Sequence, residues 1–348
     1  MFDIAAGSKF VVVAFIVVLI LLFAGVITLF KKKVKDFPEI TQNPTVTADP
    51  RDTLRNYYCK SSYNSCAAGN FTNDWVDLTA LSNAIKNGCR FLDFEIYDID
   101  NEPAVAVSDS TKFTVKGCYN SIPLDKVFAQ INKDAFLVPM PLFLNFRIKC
   151  VHRPLMEKMA KMLSDYFKDR LLGNRFNYNG NGLNIGAVPL EQMNGKVIVI
   201  VDMTNKVVES SSLNEYVNIG AKGTFLRVLP FVELKQSPPP DLPLFAKQKL
   251  VAVVPDLTSK ANNMDPNPAF DAGAQFVAMC FQTDDGNLKA YNAKFGGFSF
   301  IRKPEDLRYY PIQVPNAPPL PDSVQYNTVL STVKAGDTSA TVVLPGSS

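Results

Sequence analysis

The longest unbroken apolar run spans residues 10–30, FVVVAFIVVLILLFAGVITLF, with no charge and Thr28 as its one polar side chain. A bilayer core is crossed by roughly 20 apolar residues in a helix. The run therefore predicts a transmembrane helix over 10–30, behind a short flank at 1–9. A buried soluble helix would keep a polar face over so many turns. A cleaved signal peptide would place its basic residues first, carry a shorter apolar core and end on a small-residue cleavage site. Here the basic cluster Lys31, Lys32, Lys33 and Lys35 follows the run, and no A-x-A triplet precedes it.

After a basic juxtamembrane segment and polar linker (31–56), two periodicities alternate. LTALSNAIKNG reads as an amphipathic helix closed by Gly88, and CRFLDFEI as a strand with Asp93 and Glu95 on one face and Phe94 and Ile96 on the other. LDKVFAQINKDAF and PLMEKMAKMLSDYFKDRLL are helical, and PLFLNFRIKC is a strand. GKVIVIVD, KLVAVVPDL and AQFVAMCFQT are near-continuous apolar runs, as expected of strands buried on both faces. Such alternation predicts an α/β fold with a parallel sheet, and about 250 residues fit a (β/α)8 TIM-like barrel over 57–310. SPPPDLP at 237–243 reads as an exposed loop within it. From 311 to 348 a Pro-rich stretch and a Thr/Ser/Val-rich end read as an extended tail, available to a protein partner.

Charge narrows the picture little. The formal net charge is +3, and much of that excess lies beside the apolar run. Nucleic-acid binding, which rests on a strongly basic face, is not indicated. Lys and Arg are retained on the cytoplasmic side, so the lysines at 31–35 place the barrel there, or on the equivalent side of a viral membrane. The same lysines attract anionic headgroups by about 1 kcal/mol each. The six cysteines form no CxxC pair and no zinc spacing. Cys89, Cys150 and Cys280 lie in apolar runs and read as buried thiols. A single histidine, His152, excludes any mechanism that needs two imidazoles.

Seven segments in order resemble the catalytic domain of phosphoinositide-specific phospholipase C. They are YYCKSSYNSCAAG (57–69), GCRFLDFEIYD (88–98), PLFLNFRIKC (141–150), PLEQMNGKVIVI (189–200), VVPDLTSKANNMDP (253–266), AGAQFVAMCFQT (272–283) and GGFSFIRKPEDLR (296–308). The resemblance covers both halves of that family's split catalytic barrel, and it implies a distorted TIM barrel. It also implies a phosphodiester cleavage in which two histidines, a general base and a calcium ion act on the phosphate and the inositol 2-hydroxyl.

The family's functional positions are largely changed. Tyr63 stands at the first histidine position, and a phenol, titrating near pH 10, does not replace an imidazolium. The second falls at Val107 or Ser108. His152 matches neither and reads as structural or exposed. Of the calcium set, Asn64 matches, while Asp93 and Glu95 fill two acidic positions with the acids exchanged. The fourth, a glutamate in the family, is Arg147, whose charge opposes calcium. Arg147 instead suits an ion-pair network with Asp93 and Glu95. Residual calcium binding, if any, would fall to Asn64, Asp93 and Glu95. Where the family grips substrate, this chain has Ile200 and Val201, and then Ala252 and Val254. Lys196 and Arg308 remain, in scaffold roles.

These readings combine into a membrane-anchored pseudoenzyme with a structural, scaffolding or lipid- or protein-binding role. No catalytic residue and no cofactor is expected. Its build of anchor, barrel and tail resembles that of membrane proteins of large DNA viruses. The alternative is a divergent phosphodiesterase, acting on phosphatidylinositol-type or glycerol phosphodiesters. It would use Asp93, Glu95 and Asp109 with a metal, and Arg147 as an electrophile on phosphate.

Overall fold

A computed structural model describes residues 4–35, 51–111, 115–311, 328–335 and 338–345. The first element is helix α1 (Ile4–Lys35). It is longer than the predicted 10–30 span, because the helix runs on through the lysines and back through Ala5 and Ala6. Val11–Thr28 has a mean hydropathy of 3.2, so α1 is long and apolar enough to cross a membrane. The linker positions 36–50 lie outside the described residues.

The next elements are β1 (Tyr57–Ser62), α2 (Leu78–Lys86), β2 (Phe91–Ile99), β3 (Glu102–Ala106), β4 (Ile122–Pro123), α3 (Leu124–Asp134), β5 (Leu142–Ile148) and α4 (Arg153–Phe167). Then come α5 (Tyr178–Asn181), β6 (Val197–Asp202), α6 (Lys206–Glu209), β7 (Ile219–Ala221), β8 (Leu226–Pro230), α7 (Phe231–Gln236) and α8 (Leu242–Gln248). The body ends with β9 (Leu250–Val254), α9 (Asn267–Asp271), β10 (Phe276–Met279), α10 (Gly286–Phe295) and β11 (Phe300–Arg302). Local signals explain the helices. Asp77 caps α2 by accepting from the Thr79 N–H, and Gly88 just past its end takes φ +91°. In α4, Leu155, Met156, Met159, Ala160 and Leu163 make one buried stripe.

Eight parallel strands run in the order β7-β6-β5-β2-β1-β10-β9-β8. The two ends of that order, β7 and β8, share no ladder, so the TIM-like barrel is closed except at this seam. β3 and β4 form an antiparallel excursion on β2, and β11 runs antiparallel to β1. Strand alternation sorts the core into two layers. Outward side chains such as Leu92, Phe94 and Ile96 pack under the helices. Inward ones, including Tyr57, Phe91, Phe143, Ile198, Leu250 and Phe276, fill the lower barrel. Phe276 packs on Phe91 at 4.7 Å and on Phe143 at 5.1 Å between ring centroids. All six cysteines are free and buried, Cys89, Cys150 and Cys280 among them.

Lys303 follows β11 and is fully buried, its Nζ donating to the Ala246 carbonyl at 3.1 Å. Burial holds its pKa well below the ordinary lysine range. Between that lowered value and the unfolded one near 10.4, the unfolded chain binds the extra proton, so stability rises with pH through this window. Lys303→Met is expected to flatten the rise. Urea midpoints of both chains from pH 7 to 10 check this, and equal slopes would refute it.

The predicted extended tail needs correction. Residues 312–327 lie outside the described residues. Thr328–Ala335 and Thr338–Pro345, here β12 and β13, pair antiparallel in a two-stranded sheet of their own. The physical reason is strand propensity: Val and Thr recur along both arms. This unit starts at Tyr310, separate from the barrel body.

Candidate functional site

Inward positions climb each barrel strand two residues at a time, and near the C-terminal mouth they turn polar. On β2 the series is Phe91, Asp93, Glu95; on β5 it is Phe143, Asn145, Arg147; on β6 it is Ile198, Ile200, Asp202. The β2–β5 ladder sets Asp93 beside Asn145 and Glu95 beside Arg147.

Arg147 gathers this layer. Its Nε donates to Asp93 Oδ1 at 3.0 Å and its Nη1 to Glu95 Oε1 at 2.7 Å. Its Nη2 donates to Asp93 Oδ2 at 2.7 Å and to Asn64 Oδ1 at 2.6 Å. The remaining acceptor capacity of the acids is also used. Asn145 Nδ2 donates to Asp93 Oδ1 at 2.7 Å, the Asn64 N–H to Asp93 Oδ2 at 3.0 Å, and the Tyr97 hydroxyl to Glu95 Oε2 at 2.7 Å. Asn64 takes φ +45°, a left-handed conformation that asparagine tolerates, and this turns both its groups into the cluster. Both acids are 0 % exposed, whereas Arg147 keeps 24 % of its side chain open to the mouth.

Tyr63, just past β1, lies beneath the guanidinium with its ring centroid 4.5 Å from Arg147 Cζ, a cation–π contact. Burial pushes the Tyr63 phenol well above its ordinary range. For Arg147, burial opposes the charge, but Asp93, Tyr63 and Glu95 outweigh it and hold the guanidinium above its usual value. Every oxygen that the resemblance assigns to calcium from Asn64, Asp93 and Glu95 faces this guanidinium or accepts from Tyr97. A divalent cation among them would meet a fixed positive charge at contact distance. The residues present therefore do not fit a calcium ion.

The other sequence candidates make no contact with Arg147 among the hydrogen bonds described, although Ser108 hydrogen-bonds the Tyr97 side chain. Val107 and Ser108 are buried at the end of β3, and Ser108 Oγ accepts from the Ser110 N–H at 3.0 Å. Asp109 lies in the same loop, half-buried. His152 is exposed at the start of α4, with Nδ1 2.8 Å from Asp98 Oδ2. Lys196 donates to the Asp169 carbonyl and Arg308 to that of Lys303, both scaffold contacts.

The structure also assembles residues that pattern reading missed. A cleft of about 270 Å³ opens beside Arg147, lined by Lys149, Asp202, Thr204, Asn205 and Lys222 among others. Lys149 donates to the Ser110 carbonyl at 3.1 Å, and burial lowers its pKa. Lys222 pairs with Asp202 at 3.0 Å. Asp202 continues the inward series of β6 and was legible on that ground. Lys222 was not, since it follows a three-residue strand and takes φ +59°.

Comparison with known proteins agrees with this frame. Residues 51–203 match the family described as phosphatidylinositol-specific phospholipase C, X domain. The 1-phosphatidylinositol 4,5-bisphosphate phosphodiesterase 1 of Saccharomyces cerevisiae is 24% identical over 163 residues, which is 47% of this chain and 17% of the yeast protein. Crystal structures of PLC21 from L. pealei and S. officinalis each superpose with a TM-score of 0.63 at 19% identity, covering 75% of this chain and 38% of theirs. The chain thus spans less than a fifth of that curated relative and under half of those structures. At such identity, the structural likeness speaks for the fold.

Proposed function

From a chain whose barrel is of the phosphatidylinositol-specific phospholipase C-like family, we propose a membrane-anchored binding or scaffolding protein without phospholipase activity. The observation that carries this reading is Arg147, which stands among Asn64, Asp93 and Glu95 with four hydrogen bonds. A general acid or base must exchange protons near neutral pH. Asp93 and Glu95 are engaged as acceptors, and the Tyr63 phenol, pushed further from neutrality, supplies no substitute. The metal that would stabilise a developing phosphate charge has its place taken by a side chain.

What survives at the mouth suits binding. Asn64 Nδ2 is buried without a partner, a donor left for an incoming acceptor. Lys149 lines the adjoining cleft and brings positive charge to it, beside the Lys222–Asp202 ion pair. On this reading α1 is an uncleaved single-pass anchor, with the lysines at 31–35 holding the barrel on the cytoplasmic side or its viral counterpart.

The test is turnover by the full-length chain on phosphatidylinositol vesicles, with and without Ca2+. No soluble inositol phosphate above the blank is expected. Release that Asp93→Asn abolishes would establish the divergent phosphodiesterase instead. Sequencing the N-terminus of the membrane-bound chain tests the anchor, and a chain beginning beyond residue 30 would refute it.

A further inference from the structure

A second groove lies away from Arg147. Two clefts, of about 240 Å³ and about 360 Å³, share Asn174 and Glu215 and so run into one another. One wall is the segment 173–179, which follows α4 and includes the start of α5. The other is the segment 214–218. Asn218 immediately precedes β7, so the groove lies toward the end where the parallel strands begin. Lys222, just beyond the other end of β7, lines the cleft at the mouth.

Hydrogen bonds fix the two walls against each other. Asn177 Nδ2 donates to the Glu215 carbonyl at 2.8 Å, the Tyr178 N–H to the Val217 carbonyl at 2.8 Å, and Asn218 Nδ2 to the Phe176 carbonyl at 3.3 Å. The groove is therefore formed in the free chain, and a ligand need not order it.

The lining points to a ligand class. Asn174, Asn177, Asn179, Asn214 and Asn218 all contribute to it. A side-chain amide offers two donors and an acceptor in one plane, and a hydroxyl group both donates and accepts, so neighbouring hydroxyls suit it. Asn177 and Asn218 are spent on holding the walls. The side chains of Asn174 and Asn179 have no hydrogen-bond partner among the described residues, and Asn214 Oδ1 is buried without one. Lys168 and Glu215 are the two charged residues of the lining, one of each sign, which favours an uncharged ligand over a phosphate or an ammonium group. Leu171, Leu172 and Tyr216 add an apolar strip in the smaller cleft, where the C–H face of a sugar ring can pack. An extended peptide would use the same amides, but its alternate side chains need pockets repeated along the groove. Here the apolar residues are confined to one cleft.

We propose that this groove binds a neutral saccharide of one or two rings, its hydroxyls taken by Asn174, Asn179, Asn214 and Glu215. The site shares no residue with the Arg147 cluster and does not depend on the anchor.

The test uses the full chain in phosphatidylcholine nanodiscs, which contain no sugar. Glucose, mannose, N-acetylglucosamine, maltose and chitobiose are probed by saturation-transfer NMR, with N-acetyl-triglycine amide as the peptide counterpart. Transfer to at least one saccharide and none to the peptide is expected. Asn174→Ala with Glu215→Ala should weaken saccharide binding on the order of tenfold or more. Glu215→Gln, which keeps the shape of the side chain, should weaken it less. Both positions are exposed, so the melting temperature should stay where it is. Lys149→Ala, at the mouth, should leave saccharide binding unchanged. No transfer to any of the sugars would overturn the proposal. So would equal affinity in the double variant, loss of binding with Lys149→Ala, or transfer to the peptide alone.

Discussion

Arg147→Met is expected to cost about 3–5 kcal/mol of folding stability, the range for removing one partner of a buried ion pair. The loss is large because Asp93 and Glu95 are both fully buried and would lose the guanidinium that donates to them and balances them. Asn145 and Tyr97 each supply one hydrogen bond but no charge. Urea denaturation of the detergent-solubilised chain measures the change. Asp93→Asn in the same chain should recover part of it, because one uncompensated charge disappears. A loss below about 1 kcal/mol would mean that the cluster behaves like an exposed pair and does not organise the mouth. The companion substitution Arg147→Glu exchanges the cation for a carboxylate beside Asn64, Asp93 and Glu95. Calcium should then raise the melting temperature of that variant and leave the natural chain unmoved. Calcium stabilisation of the natural chain would contradict the place given to Arg147.

The second large effect is expected in the dry layer beneath. Phe143→Ala should cost about 3–5 kcal/mol, as for other buried phenylalanines cut to alanine. Phe143 is fully buried on β5, flanked in the sheet by Phe91 and Ile198, with its ring against Phe276. Removing it opens a cavity that strands held on both sides cannot close by shifting. Phe143→Leu retains most of the volume and should cost much less. Two positions further along β5 lies Asn145, and two beyond that Arg147, so a loosened β5 would also disturb the mouth. Equal denaturation midpoints for the alanine and leucine variants would show that the lower barrel relaxes around the gap.

Much of this architecture was legible before any coordinates. β2, β5, β6, β9 and β10 announce themselves through alternating or continuous apolar runs, and α2, α3 and α4 through buried stripes. The short strands were not legible. β7 has three residues and β8 five, too few for a period to register, and β8 ends on a proline. The β3–β4 excursion and β11 were missed for the same reason. The terminal β12–β13 hairpin was hidden by the Pro-rich stretch before it, which suggested that the low-complexity character continued to the end.

The site divides in the same way. Asp93, Glu95 and Arg147 could be named from the chain because strand periodicity puts inward residues two apart, and because aligned motifs set those strands side by side. Their charges alone made an ion-pair network a reading to expect. Lys149 and Lys222 could not be paired with them. They lie 73 positions apart, and they meet only because β5, β6 and β7 are neighbours whose following turns open on one cleft. The sequence by itself determined the apolar helix, the alternating barrel and the identity of the residues at the mouth, since hydrophobic period and side-chain chemistry are local properties. Tertiary structure alone decided which acceptors the guanidinium takes, that Asn64 turns inward to meet it, and that Lys149 and Lys222 open on the same cleft. Those depend on strand order and register, which are set by long-range packing that no local stretch of chain encodes.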